Sequence, residues 1–271
     1  MSLDLPQGVA LKNLWRAFHP KYKYHRWVLW LVTAATAVAA TASYLRGEDF
    51  FATLSLSFNS ALASFIAWAL ARELDPDRET VSLLAIPFAA TIIIIFGPVA
   101  LLPSVVFIGS ARFLTRITGL PPRRIEVLFI LLLPLAIMLY YQNAVFGLLA
   151  AFTFGLEASF EKFPRKESLY TVFALLVTAA MIGYVGLPTM TSPGMLSGLI
   201  AGVISLLVVI KVVRLRQPQS RSDFNDQPIR VARLRAMMLL TMLIALMALA
   251  GGNSGFLLLA PVWAALFSTG I

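Results

Sequence analysis

Arg72, Glu73, Leu74, Asp75, Pro76, Asp77, Arg78 and Glu79 bring four carboxylates and two guanidinium groups into eight consecutive residues. Carboxylate oxygens at this density suit a hard divalent cation such as magnesium, and a cation held by Asp75, Asp77 and Glu73 would bridge to a phosphate or diphosphate. Arg72 and Arg78 would clamp the phosphate oxygens, because a guanidinium presents a planar fork of donors. A second acidic pair, Glu157 and Glu161, stands one helical turn apart and so shares a helix face. Two acidic clusters opening on one compartment are what a metal-dependent enzyme acting on a phosphorylated prenyl or phospholipid substrate needs. The first cluster also reads as the solvated end of a helical hairpin. There Pro76 fixes the turn, Asp77 caps the following helix and Glu79 lies in that helix's favourable first turn.

In layout these clusters resemble the UbiA-type prenyltransferases, in which two Asp-rich motifs end two membrane helices, and the resemblance implies magnesium-assisted chemistry on a prenyl diphosphate. The Asn-Asp-x-x-Asp pattern of that family is absent, and Glu stands in the second cluster. His19 and His25 are the only histidines and both precede the first apolar stretch, so a Ser-His-Asp site within the membrane is excluded. The absence of Cys removes thiolate nucleophiles, disulfides and cysteine-based metal sites.

The elements that would position these residues follow from composition. With 59% hydrophobic and 13% charged residues and a mean hydropathy of +0.83, the chain is far from a water-soluble domain, in which about a quarter of residues are charged. An all-α membrane bundle of about ten transmembrane helices is expected over residues 27–271, preceded by a cytoplasmic, interfacial amphipathic segment over 1–26. In that segment Val9, Leu11, Leu14, Trp15 and Phe18 fall on one helical face. The first span is Trp27 to Leu45; a cleaved signal peptide ending near Ala40, Thr41 and Ala42 is its rival. The second runs from Thr53 to Ala71. The apolar stretch from Ser82 to Ala111 is either one long span or two short arms meeting at Gly97 and Pro98. Parity decides for a double pass or a re-entrant pair, because a single crossing would put Arg112, Arg116, Arg123 and Arg124 outside.

Three more hairpins follow: one turning at Gln142 and Asn143, one through Pro188, Thr189 and Pro193, and one at Gly251 to Gly255. This leaves every Lys and Arg except Arg46 on one side, with both termini and the loop 214–235 in the cytoplasm. The expected location is a bacterial cytoplasmic (inner) membrane rich in anionic lipid. Such lipid accounts for the basic N-terminal stretch without nucleic acid as a partner.

Within the bundle, helices are expected to be held by close approach at small residues: Gly194, Gly198 and Gly202 on one span, Thr33, Ala37 and Thr41 on another, and Ser60, Ser64, Ala67 and Ala71 on a third. Pro87, Pro98, Pro103, Pro134 and Pro261 should kink or break their helices. Asn59 is the most polar side chain well inside a span, with interhelical bonding its expected use and solute contact the alternative. No Asp, Glu, Lys or Arg lies in the middle of a span, which argues against charge-coupled transport. Span count and missing motifs favour a permease-like or carrier-like protein for a small or lipidic solute. The metal-dependent lipid enzyme and a non-catalytic membrane assembly subunit are the alternatives.

Overall fold

A computed structural model describes residues 23–117, 123–161, 165–185, 191–222 and 227–271. The amphipathic stretch up to Phe18, Pro188, Thr189 and part of the 214–235 loop lie outside the described residues. Among the described residues the regular structure is helical, apart from two isolated bridge pairs. Seven helical stretches are long and apolar enough to cross a membrane, and two shorter apolar helices accompany them. The outer surface is as greasy as the interior: Trp30, Leu45, Phe51, Leu176 and Leu199 are all more than half exposed, as suits a surface facing lipid.

Helix α1 (Lys23–Leu45) turns through Gly47, whose φ of 74° is left-handed, into α2 (Phe50–Leu74). Asp49 caps α2 by accepting from the Ala52 amide at 2.8 Å. Beyond the acidic turn come the short α3 (Glu79–Ser82) and α4 (Ala85–Phe96). Pro87 lies in the first turn of α4, where its missing N–H cannot continue the ladder from α3. The long apolar stretch then breaks where Gly97 and Pro98 stand: Gly97 takes φ 96°, which a side-chain-bearing residue rarely adopts, and α5 (Leu102–Thr115) begins with Pro103 in its first turn.

A break inside lipid frees backbone groups that water cannot satisfy. Asn59 of α2 closes this one from both sides. Its Nδ2 donates to the Val99 carbonyl at 2.8 Å, and its Oδ1 accepts from the Val99 amide at 2.9 Å. Asn59 lies about 14 Å inside the start of α2 at ~1.5 Å per residue, so the α4–α5 turn is clasped well below the far end of the bundle.

Helix α6 (Arg124–Tyr141) starts on a capping box in which Glu126 accepts from the Arg123 amide at 2.8 Å, and it runs uninterrupted through Pro134. Of the five intramembrane prolines, Pro134 alone falls inside a continuous helix; the other four sit at helix starts or in the break. Helix α7 (Val145–Phe160) follows a tight turn at Gln142 and Asn143. The remaining helices are α8 (Arg165–Val185), α9 (Met195–Arg214), α10 (Val231–Leu249), α11 (Gly252–Leu258) and α12 (Ala260–Gly270), with Pro261 opening α12 after a break at Leu259. One continuous apolar cluster, with Phe107, Phe146, Phe154, Phe256 and Trp263 fully buried in it, joins α2, α4, α5, α7, α10 and α12.

The close approaches differ from those the glycine spacing suggested. Gly202 has open space around it, Gly198 touches only Pro193, and Gly194 belongs to the turn before α9, where its amide and the Ser197 hydroxyl both donate to Asn253 Oδ1. The buried face of α9 is instead Ser197, Ala201, Ile204, Val208 and Val212. On α1 the inward face is Val28, Ala35 and Ala39, while Thr33, Ala37 and Thr41 are exposed. Ser60, Ser64, Ala67 and Ala71 do pack inward. The tightest seams lie where a methyl group would overlap a neighbour: Gly147 against Thr178 of α8, Gly255 against the Ala248 carbonyl, and Gly270 against the α9 backbone at Leu207 and Val208.

Gly147→Leu is therefore expected to lower unfolding free energy by about 1–3 kcal/mol through overpacking, whereas Gly202→Leu changes it by less than about 0.5 kcal/mol. Equilibrium unfolding of the two variants in detergent micelles checks the contrast, and equal losses would contradict the packing described.

Candidate functional site

The charged ends of the helices assemble into one layer at one end of the bundle. Helix α2 ends there with Arg72, Glu73 and, at its C-cap, Asp75. Glu73 is 1% exposed and accepts from Arg112 Nε of α5 at 2.9 Å, so the far end of the α4–α5 pair has returned to the end of α2. Asp75 pairs with Lys211 in the last turn of α9. Arg72 lies 3.1 Å from His25 Nε2 of α1 and 3.4 Å from Glu79, with its guanidinium over the Trp68 ring. Arg78 donates to the Ile271 carbonyl at the end of α12.

Asp77 does not cap the helix that follows it; the N-cap of α3 is Arg78, without a side-chain bond. Its carboxylate accepts instead from the amides of Gln219 (3.0 Å) and Ser220 (2.8 Å), and the Ser220 hydroxyl donates to the Pro76 carbonyl at 3.2 Å. The acidic turn thus holds down the connection between α9 and α10. Partial burial pushes the Asp77 carboxyl up, but the hydrogen bonds from Ser220 and Gln219 and the Lys211 charge outweigh it and hold it below the ordinary carboxylate range.

The second acidic pair is more deeply engaged. Glu157 is 1% exposed and sits between Arg116 of α5 and Arg233 of α10, with its Oε2 at 2.5 Å from Arg233 Nη1. Glu161 accepts from Arg116 at 2.7 Å and faces Arg233 at 3.4 Å. Arg233 also donates to the Leu114 carbonyl at 2.8 Å and lies over the Phe160 ring. Both terminal nitrogens of this buried guanidinium meet oxygen acceptors.

Arg112 and Arg116 are one turn apart on α5, and they face the two acidic clusters respectively. Where the sequence pattern placed a shared divalent cation, the chain supplies its own guanidinium groups. Among the described residues no group of three or more Asp, Glu, His or Cys side chains converges in a manner that would hold a metal ion, so the donor set does not fit magnesium. Arg72 and Arg78, expected on phosphate, are turned to His25, Glu79 and the Ile271 carbonyl. The partners that sequence reasoning passed over are Arg112, Arg116, Lys211 and Arg233, which had served only as markers of sidedness. Their one legible signal was position: each lies within the last or first turn of an apolar segment, where a long cation either reaches water or requires a partner.

These features define a multi-pass, all-helical membrane protein. No family model matches the chain, and no curated protein or solved structure is detectably similar to it.

Two expectations follow. Glu157→Gln removes the buried counter-charge of Arg233 and leaves Arg233 and Arg116 to share Glu161 alone, and should cost about 3 kcal/mol of stability in chemical unfolding. Pairing it with Arg233→Met should recover a substantial part, a result that no purely local packing defect would give. For Asp77 the folded carboxyl titrates below its ordinary value of 3.8, so its contribution is present above that value and disappears as pH falls through the lower one. Limited proteolysis of the 215–222 segment with an acid-active protease should stay slow until the pH drops below about 3.8 and be fast already at pH 5 in Asp77→Ala; a wild-type rate flat across that range would contradict the tether.

Proposed function

We propose that this protein is permease-like or carrier-like, with about ten membrane passes and both termini on the cytoplasmic side of a bacterial-type inner membrane, acting on a small or lipidic solute. One observation carries the reading. Two apolar helical stretches are interrupted inside the bundle, between α4 and α5 and between α11 and α12, and the Phe96 and Phe256 rings beside the two breaks meet at 6.3 Å. Among the described residues, three buried polar atoms without partners adjoin the same breaks, the hydroxyl of Ser60 next to Asn59, that of Ser104 at the start of α5 and the indole N–H of Trp263 at the start of α12, while the hydroxyls of Ser110 and Ser205 are left unpartnered within α5 and α9. Buried donors left unpaired cost on the order of 1–3 kcal/mol each, and proteins retain few of them without a use. Interrupted helices are also where membrane carriers expose backbone and side-chain polar groups to a solute.

The sidedness rests on the return of α2, α5, α7 and α9 to one charged layer, combined with the preference of Lys and Arg for the cytoplasmic face. The short α5 and α7 need local thinning or an incomplete pass, which the clasp at Asn59 favours for the α4–α5 pair. The metal-dependent lipid enzyme loses its support once its carboxylates are neutralised by Arg112, Arg116, Lys211 and Arg233.

The absence of native Cys makes the test direct. Ser60→Cys and Ser104→Cys, each as the sole thiol in sealed membrane vesicles, should react with a small membrane-impermeant thiol reagent, and from both sides in a protein that alternates its access. If both stay unreactive while Arg46→Cys in the external turn is labelled, the interior is closed and the non-catalytic subunit reading replaces this one.

A further inference from the structure

Beside the ion-pair layer, the ends of α5 and α7, the start of α10 and the segment before it border an open cavity of about 580 Å³. Among the described residues, three guanidinium groups line it, those of Arg116, Arg230 and Arg233, against a single carboxylate at its wall, Glu161. Counting Glu157 behind the wall, one positive charge remains in excess among these described residues.

Two of the three cations are held rigidly. Glu157 and Glu161 fix Arg116 and Arg233 by ion pairs, and Arg116 takes a left-handed backbone conformation, φ 52°, at the C-cap of α5. For a residue with a side chain that conformation is costly and persists only where the surroundings enforce it. The remaining capacity points to an anion: Arg230, exposed at the wall, makes no ion pair or side-chain hydrogen bond among the described residues. Arg230 is moreover the N-cap of α10, which has no side-chain cap, so the positive end of a 19-residue helix dipole opens at the cavity wall.

We propose that this cavity binds a phosphate group through Arg116, Arg230 and the amino end of α10. Guanidinium forks match the tetrahedral oxygens of phosphate, and a volume of this size holds a phosphate attached to a larger body rather than the bare ion. A lipid headgroup at the cytoplasmic interface and a phosphorylated solute present the same chemistry. The site does not depend on a transport role, and it lies away from Arg72 and Arg78.

The full chain in phosphatidylcholine nanodiscs provides the test. One arm replaces part of the lipid with phosphatidylglycerol and counts retained lipid by native mass spectrometry; the other titrates inorganic phosphate at constant ionic strength and follows thermal unfolding. Arg230→Ala removes an exposed side chain that pairs with none of the described residues, so the fold should survive, and it should weaken apparent affinity about tenfold, the scale of one charge-assisted hydrogen bond. Arg214→Ala, an exposed cation outside the cavity, should stay within about twofold of wild type. A selective loss in the lipid arm alone identifies a headgroup site, and one that also appears with inorganic phosphate identifies a site open to soluble phosphorylated ligands. Equal weakening by the two variants would mean general attraction to anions and overturn the proposal, as would the absence of binding in both arms.

Discussion

Carboxylates that cannot reach water must be neutralised in place, and that requirement organises one whole end of this bundle. Glu73 and Glu157 are both almost fully buried, and each is answered by a guanidinium from α5. Because Arg112 and Arg116 are one turn apart on a single helix, α5 acts as a cationic rod between two acidic walls, one from α2 and one from α7. Arg233 joins α10 to the same wall, and Lys211 ties α9 to Asp75. In a medium where lipid tails compete equally with side chains for apolar contact, such directional pairing decides which helix ends meet. The strength of the arrangement lies in its completeness, since removing either partner of a buried pair leaves an uncompensated charge.

The opposite end is fastened by isolated polar contacts, with Arg46 donating to the Ile94 carbonyl, Glu48 accepting from Ser43, and three asparagines closing turns. Asn59 closes the backbone at Val99, Asn143 accepts from the Val145 amide, and Asn253 gathers the Gly194 amide and the Ser197 hydroxyl across two turns. An amide side chain carries both a donor and an acceptor without net charge, so it can satisfy a frayed backbone in a dry setting where an ion would be costly. The ion-pair layer at one face and the turn contacts at the other leave the interior between them largely apolar. Of the unpartnered buried hydroxyl and indole groups among the described residues, Ser60, Ser104 and Trp263 fall beside the two helix breaks, and Ser110 and Ser205 lie within α5 and α9.

The apolar helices, the turn at Gln142 and Asn143 and the break at Gly97 and Pro98 were legible from apolar lengths and from glycine and proline, because these depend on local conformational cost and on transfer to lipid. The roles of the acidic residues were not. Glu73, Asp75, Glu157 and Glu161 read equally well as metal ligands and as halves of ion pairs, since the choice turns on which cation lies across the bundle. The glycine series at 194, 198 and 202 has the spacing of a packing motif, yet its helix is rotated so that Ser197, Ala201 and Ile204 face inward. Spacing determines which residues share a face and leaves open the direction in which that face points. Gly147 and Gly270, which do lie at close approaches, have no periodic partner to announce them.

What the sequence alone determined is the medium, the helical class and the places where the chain must bend, because hydrophobicity, proline and glycine act through the backbone and the solvent next to it. What only the tertiary structure decided is which charges meet: that Asp77 holds the α9–α10 connection, that the two acidic clusters look onto the arginines of α5, and that Arg116 and Arg230 are left facing an open cavity. Those pairings join residues up to 143 positions apart, and over such separations the outcome depends on helix rotation and packing, which no short stretch of residues encodes.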